Sequence, residues 1–163
     1  MKLVDSHCHL PLIADENRSI DDIVTEARLN NVEQMLCVGV QFETIQEVLN
    51  AASDQEYVYA SVGVHPNTEK DAFDPSVKDI VELAGAHEKV VAVGETGLDY
   101  FRSSGELDWQ HERFRTHIRA ARELDKPVII HTRDARVDTL KIMRQEKADE
   151  VGGVMHCFVE DYD

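Results

Sequence analysis

A chain of 163 residues with 42% hydrophobic content is long enough for one domain with a real core, and its composition excludes disordered and collagen-like classes. The opening residues, Met1 to His9, carry Lys2 and Asp5 and no long apolar run, so neither a signal peptide nor a membrane span is expected and the protein reads as cytoplasmic. A formal net charge of -15 without any Lys/Arg run excludes a basic stripe as the means of holding an anionic polymer.

Short β-branched runs alternate along the chain with stretches of helical period, which is the pattern of βαβ units around a parallel sheet. The first expected strand, 2–5, runs into His7 and His9. Ser19 and Asp22 then stand at capping-box spacing before a helix with the apolar face Ile20, Ile23, Val24 and Ala27. A second strand, 35–40, ends blandly at Gly39-Val40, and Thr44 with Glu47 opens a helix faced by Ile45, Val48, Leu49 and Ala52. The third strand, 58–64, leads to His65. Asp74-Pro75 supplies a cap and a first-turn proline for a helix faced by Val77, Ile80, Val81 and Ala84. A fourth strand, 90–94, leads to Glu95, and the helix after it carries Phe114, Ile118, Ala121 and Leu124. The fifth strand, 127–130, leads to His131. A weaker helical stripe of Val137, Leu140 and Met143 or Arg144 precedes the sixth strand, 153–155, which leads to His156. The whole chain, 1–163, reads as a single domain.

Some residues invite a bland reading. Cys8, Cys37 and Cys157 are odd in number, lack Cys-x-x-Cys spacing and lie beside apolar runs, so all three are expected as reduced, mostly buried thiols. Arg113, Arg115, Arg119 and Arg122 read as a solvated helix face with Glu112 and Glu123 interleaved. His87, His111 and His117 fall away from strand ends and are read as surface or packing residues.

The strand ends are different. Parallel α/β barrels build their sites at the carboxyl ends of strands, and here those ends carry His7, His9, His65, Glu95, His131 and His156. Side chains alternate along a strand, so His7 and His9 share one face and Cys8 takes the other. A single such histidine is most economically a hydrogen-bonded core residue. Five of them, His7, His9, Glu95, His131 and His156, converging where burial is costly need a shared partner, and a divalent cation is the simplest one. One carboxylate among histidines can bridge two metals. His65, in Gly-Val-His-Pro, offers a sixth ligand or a contact to a substrate phosphate, of which the second is favoured. Arg133 offers a planar fork to a phosphate or a salt bridge to Asp134 or Asp99.

Five segments together resemble a known family: Val-Asp-Ser-His-Cys-His at 4–9, Gly-Val-His-Pro at 63–66, Gly-Glu-Thr-Gly-Leu-Asp-Tyr at 94–100, His-Thr-Arg-Asp at 131–134 and Met-His-Cys-Phe at 155–158. In this order they are similar to the TatD-like metal-dependent deoxyribonucleases, among the amidohydrolase-type barrels, and the Glu95 segment is the most specific of them. The resemblance implies an α/β fold of the TIM-barrel-like (β/α)8 type and hydrolysis of DNA phosphodiesters by water with two divalent ions, Mg, Mn or Zn. His7, His9 and Glu95 would hold one ion and Glu95, His131 and His156 the other. His65 and Arg133 would contact substrate, Asp99 would orient a ligand, and the DNA would be single-stranded or engaged at an end.

Asn67 and Val159-Glu160 depart modestly from the family pattern, and its further metal-binding aspartate has no counterpart, Asp161 and Asp163 lying too close to the sixth strand. About six strand-helix units do not close an eight-strand barrel, so the last two are expected to be missing, with two open edges that invite self-association. Two other functions compete. The same metal pair suits a small amide, ester or lactone, which the acidic surface would accept more readily, and an incomplete barrel would bind metal without catalysis.

Overall fold

A computed structural model describes residues 1–69 and 71–159, so the Asp161 and Asp163 expectations lie outside the described residues. Six strands, β1 (Leu3–Cys8), β2 (Val32–Cys37), β3 (Val58–Val62), β4 (Val90–Asp99), β5 (Val128–Arg133) and β6 (Gly153–Met155), form one parallel sheet in sequential order. Between them run α1 (Leu10–Ile13), α2 (Ile20–Leu29), α3 (Ile45–Asp54), α4 (Val77–Gly85), α5 (Asp108–Leu124) and α6 (Arg136–Gln145). A flat sheet of this size would hold its edge strands about 24 Å apart. The rings of His7 on β1 and His156 after β6 nevertheless stack with centroids 3.5 Å apart. The sheet is therefore curled into part of a barrel, as the strand-helix alternation implies.

Val58, Ala60 and Val62 of β3, Val90 and Val93 of β4, and Val128 and Ile130 of β5 meet the helices in the main core, while Val38, Ala92 and Ile129 form a smaller cluster with Leu36 on the concave face. The edges are more open: Val4 on β1 and Val154 on β6 are more than half exposed. Among the described residues no helix is long and apolar enough to cross a membrane.

Several expectations need correction. β4 and β5 are longer than expected, so Glu95, Asp99, His131 and Arg133 belong to the strands themselves rather than to the loops after them. The Asp74-Pro75 cap is displaced: Ser76 caps α4 in a capping box with Asp79, and the Asp74 carboxylate pairs instead with Arg113. Ser19 and Asp22 form the expected box on α2, whereas the Thr44 side chain makes no cap hydrogen bond. In α6, Val137 faces solvent and Thr139 and Ile142 are buried. Cys37 is buried and Cys8 partly so, but Cys157 is exposed; all three are free thiols.

The arginine face of α5 is not simply solvated. Arg115 and Arg119 converge on Glu146 at 2.8 Å each, and Arg122 reaches Glu150 at 2.5 Å, fastening α5 to the segment around α6. Arg113 is buried, its guanidinium donating to the carbonyls of His65 (3.3 Å), Thr68 (3.1 Å) and Glu69 (3.4 Å).

His117 is fully buried. Val64 N–H donates to its Nε2 at 3.0 Å, so Nδ1 carries the proton and donates to the Arg113 carbonyl at 2.7 Å. Burial brings its pKa from 6.5 down to about 4. Between those values the unfolded chain binds a proton that the folded chain refuses, so this contribution is whole above about pH 6.5 and lost as pH falls, by about 3 kcal/mol at pH 4. Urea denaturation from pH 7 to 4 should show this loss, and His117→Gln should flatten the slope; an equally steep slope in the variant would remove His117 as its source.

Candidate metal centre

Each strand delivers its polar group to the concave side of the sheet for a local reason. On β4, Glu95, Gly97 and Asp99 alternate outward from the helix-facing residues, and Gly97 lies opposite His131 of β5. Gly97 has φ +137° and any Cβ there would collide with the His131 carbonyl oxygen. A residue without a side chain thus lets the His131 ring lie across the gap between Glu95 and Asp99.

The Glu95 carboxylate is 3% exposed and is ringed by imidazoles. His7 Nε2 lies 3.2 Å from Oε2, while His131 Nδ1 lies 3.2 Å and His65 Nε2 3.6 Å from Oε1. Burial alone would raise its pKa, but His131, His65 and His7 reverse that and hold the carboxyl far below the usual range. His131 is partly buried, which would lower its pKa, yet Glu95 and Asp99 on either side raise it. Asp99 also stays ionised: its burial is outweighed by the Arg102 backbone N–H at 2.8 Å, the Asn67 side chain and His131.

The hydrogen bonds assign tautomers. His9 Nδ1 lies 3.1 Å from the Val38 carbonyl, so it donates there and leaves the Nε2 lone pair free. His131 Nε2 lies 3.0 Å from Asp99 Oδ2, and its Nδ1 lies 3.2 Å from both Glu95 Oε1 and His65 Nε2. His7 Nε2 is buried without a hydrogen-bond partner despite its nearness to Glu95. A buried carboxylate ringed by imidazole nitrogens at 3.2–3.6 Å is a donor set that a divalent cation fits. Two triads have ligand atoms within 4.8 Å of one another: His7, His9 and Glu95, and His65, Glu95 and His131.

His65 differs from the others. The Asn67 backbone N–H donates to its Nδ1 at 3.0 Å, so in the neutral ring Nε2 carries the proton and has no lone pair for a metal. His156 donates its backbone N–H to the Ile130 carbonyl at 2.8 Å and stacks on His7. Arg133 forms no ion pair with Asp99 or Asp134 among the described residues; its guanidinium lies 3.9 Å over the Phe101 ring.

A cavity of about 490 Å³ gathers His7, His9, His65, Glu95, Asp99, His131, Arg133 and His156, so every candidate residue named from the sequence lines it. Asn67 and Arg102 line it too; the sequence marks Asn67 only as a departure from the family pattern and gives Arg102 no role. Their signal was position: Asn67 is two residues past His65, and Arg102 three past Asp99. His87, His111 and His117 stand apart from the cavity.

The family profile described as TatD related DNase matches residues 4–163. The metal-dependent hydrolase YcfH of Escherichia coli K12, itself named as uncharacterized, is 45% identical over 163 residues, covering 99% of this chain and 60% of that protein. A protein of Escherichia fergusonii named 3'-5' ssDNA/RNA exonuclease TatD is 33% identical over 138 residues, 85% of this chain and 53% of its own length. The solved structure of the TatD homologue YjjV from Escherichia coli K12 superposes with a TM-score of 0.84 at 26% identity, covering 98% of this chain and 61% of that one. The chain thus spans about 60% of the length of such relatives. By sequence, curled parallel sheet and histidine-carboxylate cluster alike, it belongs to the TatD-related DNase family.

Proposed function

We propose that the protein is a metal-dependent hydrolase that cleaves phosphodiester bonds of a nucleic acid, single-stranded or at a strand end, at a centre for two divalent ions. His7, His9 and Glu95 would hold one ion and Glu95, His131 and His156 the other. The observation that carries this reading is the buried, partnerless His7 Nε2 and the His131 Nδ1 converging on one buried, ionised carboxylate. Bound there, Mg, Mn or Zn would supply charge to a phosphate and acidify water.

The chain's own residues do the rest. Asp99 fixes the His131 tautomer and ring plane, as outer partners of metal-binding imidazoles commonly do. His65 Nε2–H, which lies 3.2 Å from His131 Nδ1, would serve a non-bridging phosphate oxygen once an ion takes that nitrogen, supported by the Asn67 backbone N–H on its other nitrogen. Arg133, flat against Phe101 at the cavity wall, offers its fork to the same phosphate. With a net charge of -15, the polymer is drawn to this local positive charge and not to the surface at large.

The acidic surface also favours a small uncharged ester or lactone. The full-length protein, as its gene encodes it, separates the two when incubated with labelled single- and double-stranded DNA and with ester and lactone substrates, each with manganese and with chelator. Cleavage of DNA that stops with chelator is the expected result. Turnover of the ester or lactone with intact DNA would overturn the proposal.

A further inference from the structure

Beside the metal centre lies a second cavity of about 470 Å³, and Asn67 lines both. Its walls come from the segment after β3 and from the segment joining β4 to α5. Both are pinned from behind by side chains that solvent does not reach. Gln110, wholly buried, accepts from the Asp99 N–H at 3.0 Å and donates to the Pro66 carbonyl at 3.1 Å and to Ser103 Oγ at 2.8 Å. Arg113 binds the carbonyls of His65, Thr68 and Glu69 and lies 4.7 Å over the Trp109 ring. The cavity is thus a built feature, anchored to the strand that carries Asp99.

Its lining says what it takes. Trp109 and Leu107 supply apolar surface, and Asn67, which lines both cavities, has a buried side-chain oxygen with no hydrogen-bond partner, so a donor that reached it from either cavity would relieve an unmet acceptor. Glu69 and Glu106 stand in the lining with no Lys or Arg among the described residues there, which repels a phosphate. A planar, uncharged ring with an N–H on its edge satisfies all three conditions.

We infer that this cavity is a nucleobase subsite, in which a base of the nucleic acid stacks on Trp109 and donates an edge N–H to Asn67 while its phosphate lies at the metal centre. The inference rests on the proposed nuclease function and deepens it. Asn67 joins the two parts: its backbone N–H sets the His65 tautomer and its side chain contacts Asp99, so base and phosphate positions are tied through one residue. Every nucleobase has a π-face and an edge donor, so the subsite tolerates any sequence.

The test has a binding arm and a kinetic arm, both on the full-length protein. Trp109 is the single tryptophan of this chain. The fluorescence difference between wild type and Trp109→Phe therefore isolates its signal. Nucleoside monophosphates should quench that signal saturably, and ribose 5-phosphate should not. With manganese, Trp109→Ala should lower kcat/KM on thymidine 5'-(p-nitrophenyl phosphate) roughly 10-fold more than on bis(p-nitrophenyl) phosphate, which has no base, and Trp109→Phe should recover most of the difference. Equal losses on both substrates together with no base-dependent quench would overturn the subsite while leaving the hydrolase reading intact. Base-dependent quenching without hydrolysis of any phosphodiester would uphold the subsite and sink the nuclease.

Discussion

Replacing Glu95 with alanine is expected to empty the metal centre. The carboxylate is 3% exposed and stands within 3.6 Å of a nitrogen of each of His7, His65 and His131, so no other described acid replaces it there. Even outer partners of metal-binding side chains are worth about 10–100-fold in affinity, and a shared direct ligand is worth more. Elemental analysis of the dialysed variant should therefore find a loss of both ions, and hydrolysis should fall to the chelated background. Two ions retained per chain would sink the shared-ligand role of Glu95 whatever happened to activity.

The second large effect concerns stability. Arg113→Ala should cost about 3 kcal/mol, because it strips the buried Thr68 carbonyl of its guanidinium donor, removes a second donor from the carbonyls at 65 and 69, and leaves Asp74 without its ion pair. Arg113→Lys should recover little, since a single ammonium cannot reproduce a planar fork that serves several acceptors. Urea midpoints of the three proteins provide the measurement. A loss below about 1 kcal/mol would mean that water replaces the guanidinium and that the segment after β3 is held by something else.

Arg113 also shows why part of the molecule was illegible in the sequence. Four arginines at helical spacing beside glutamates look like a surface, and nothing local marks the one that turns inward to meet carbonyls about 45 residues earlier. Asp74 misled for the complementary reason: an aspartate before a proline is a good helix cap by local rules, and a distant guanidinium took it. The strand order and the site residues were easier to read. An apolar β-branched run followed by histidine or glutamate is a costly pattern without a partner, and it recurs at five of the six strands. What the sequence could not express was tautomer. That His65 donates at Nε2 whereas His9 keeps a lone pair there depends on backbone groups at 67 and 38, which only the fold brings into place.

The stacking of His7 on His156 sets a timetable for biosynthesis. The first ligand-bearing strand leaves the ribosome long before the last, and synthesis of the stretch between them takes roughly 10–30 s. Through that interval the nascent chain exposes a growing row of imidazoles with one side of their pocket unbuilt. If these histidines hold the ions as proposed, selective capture of metal is a late event, after the sheet has curled far enough to bring His156 against His7.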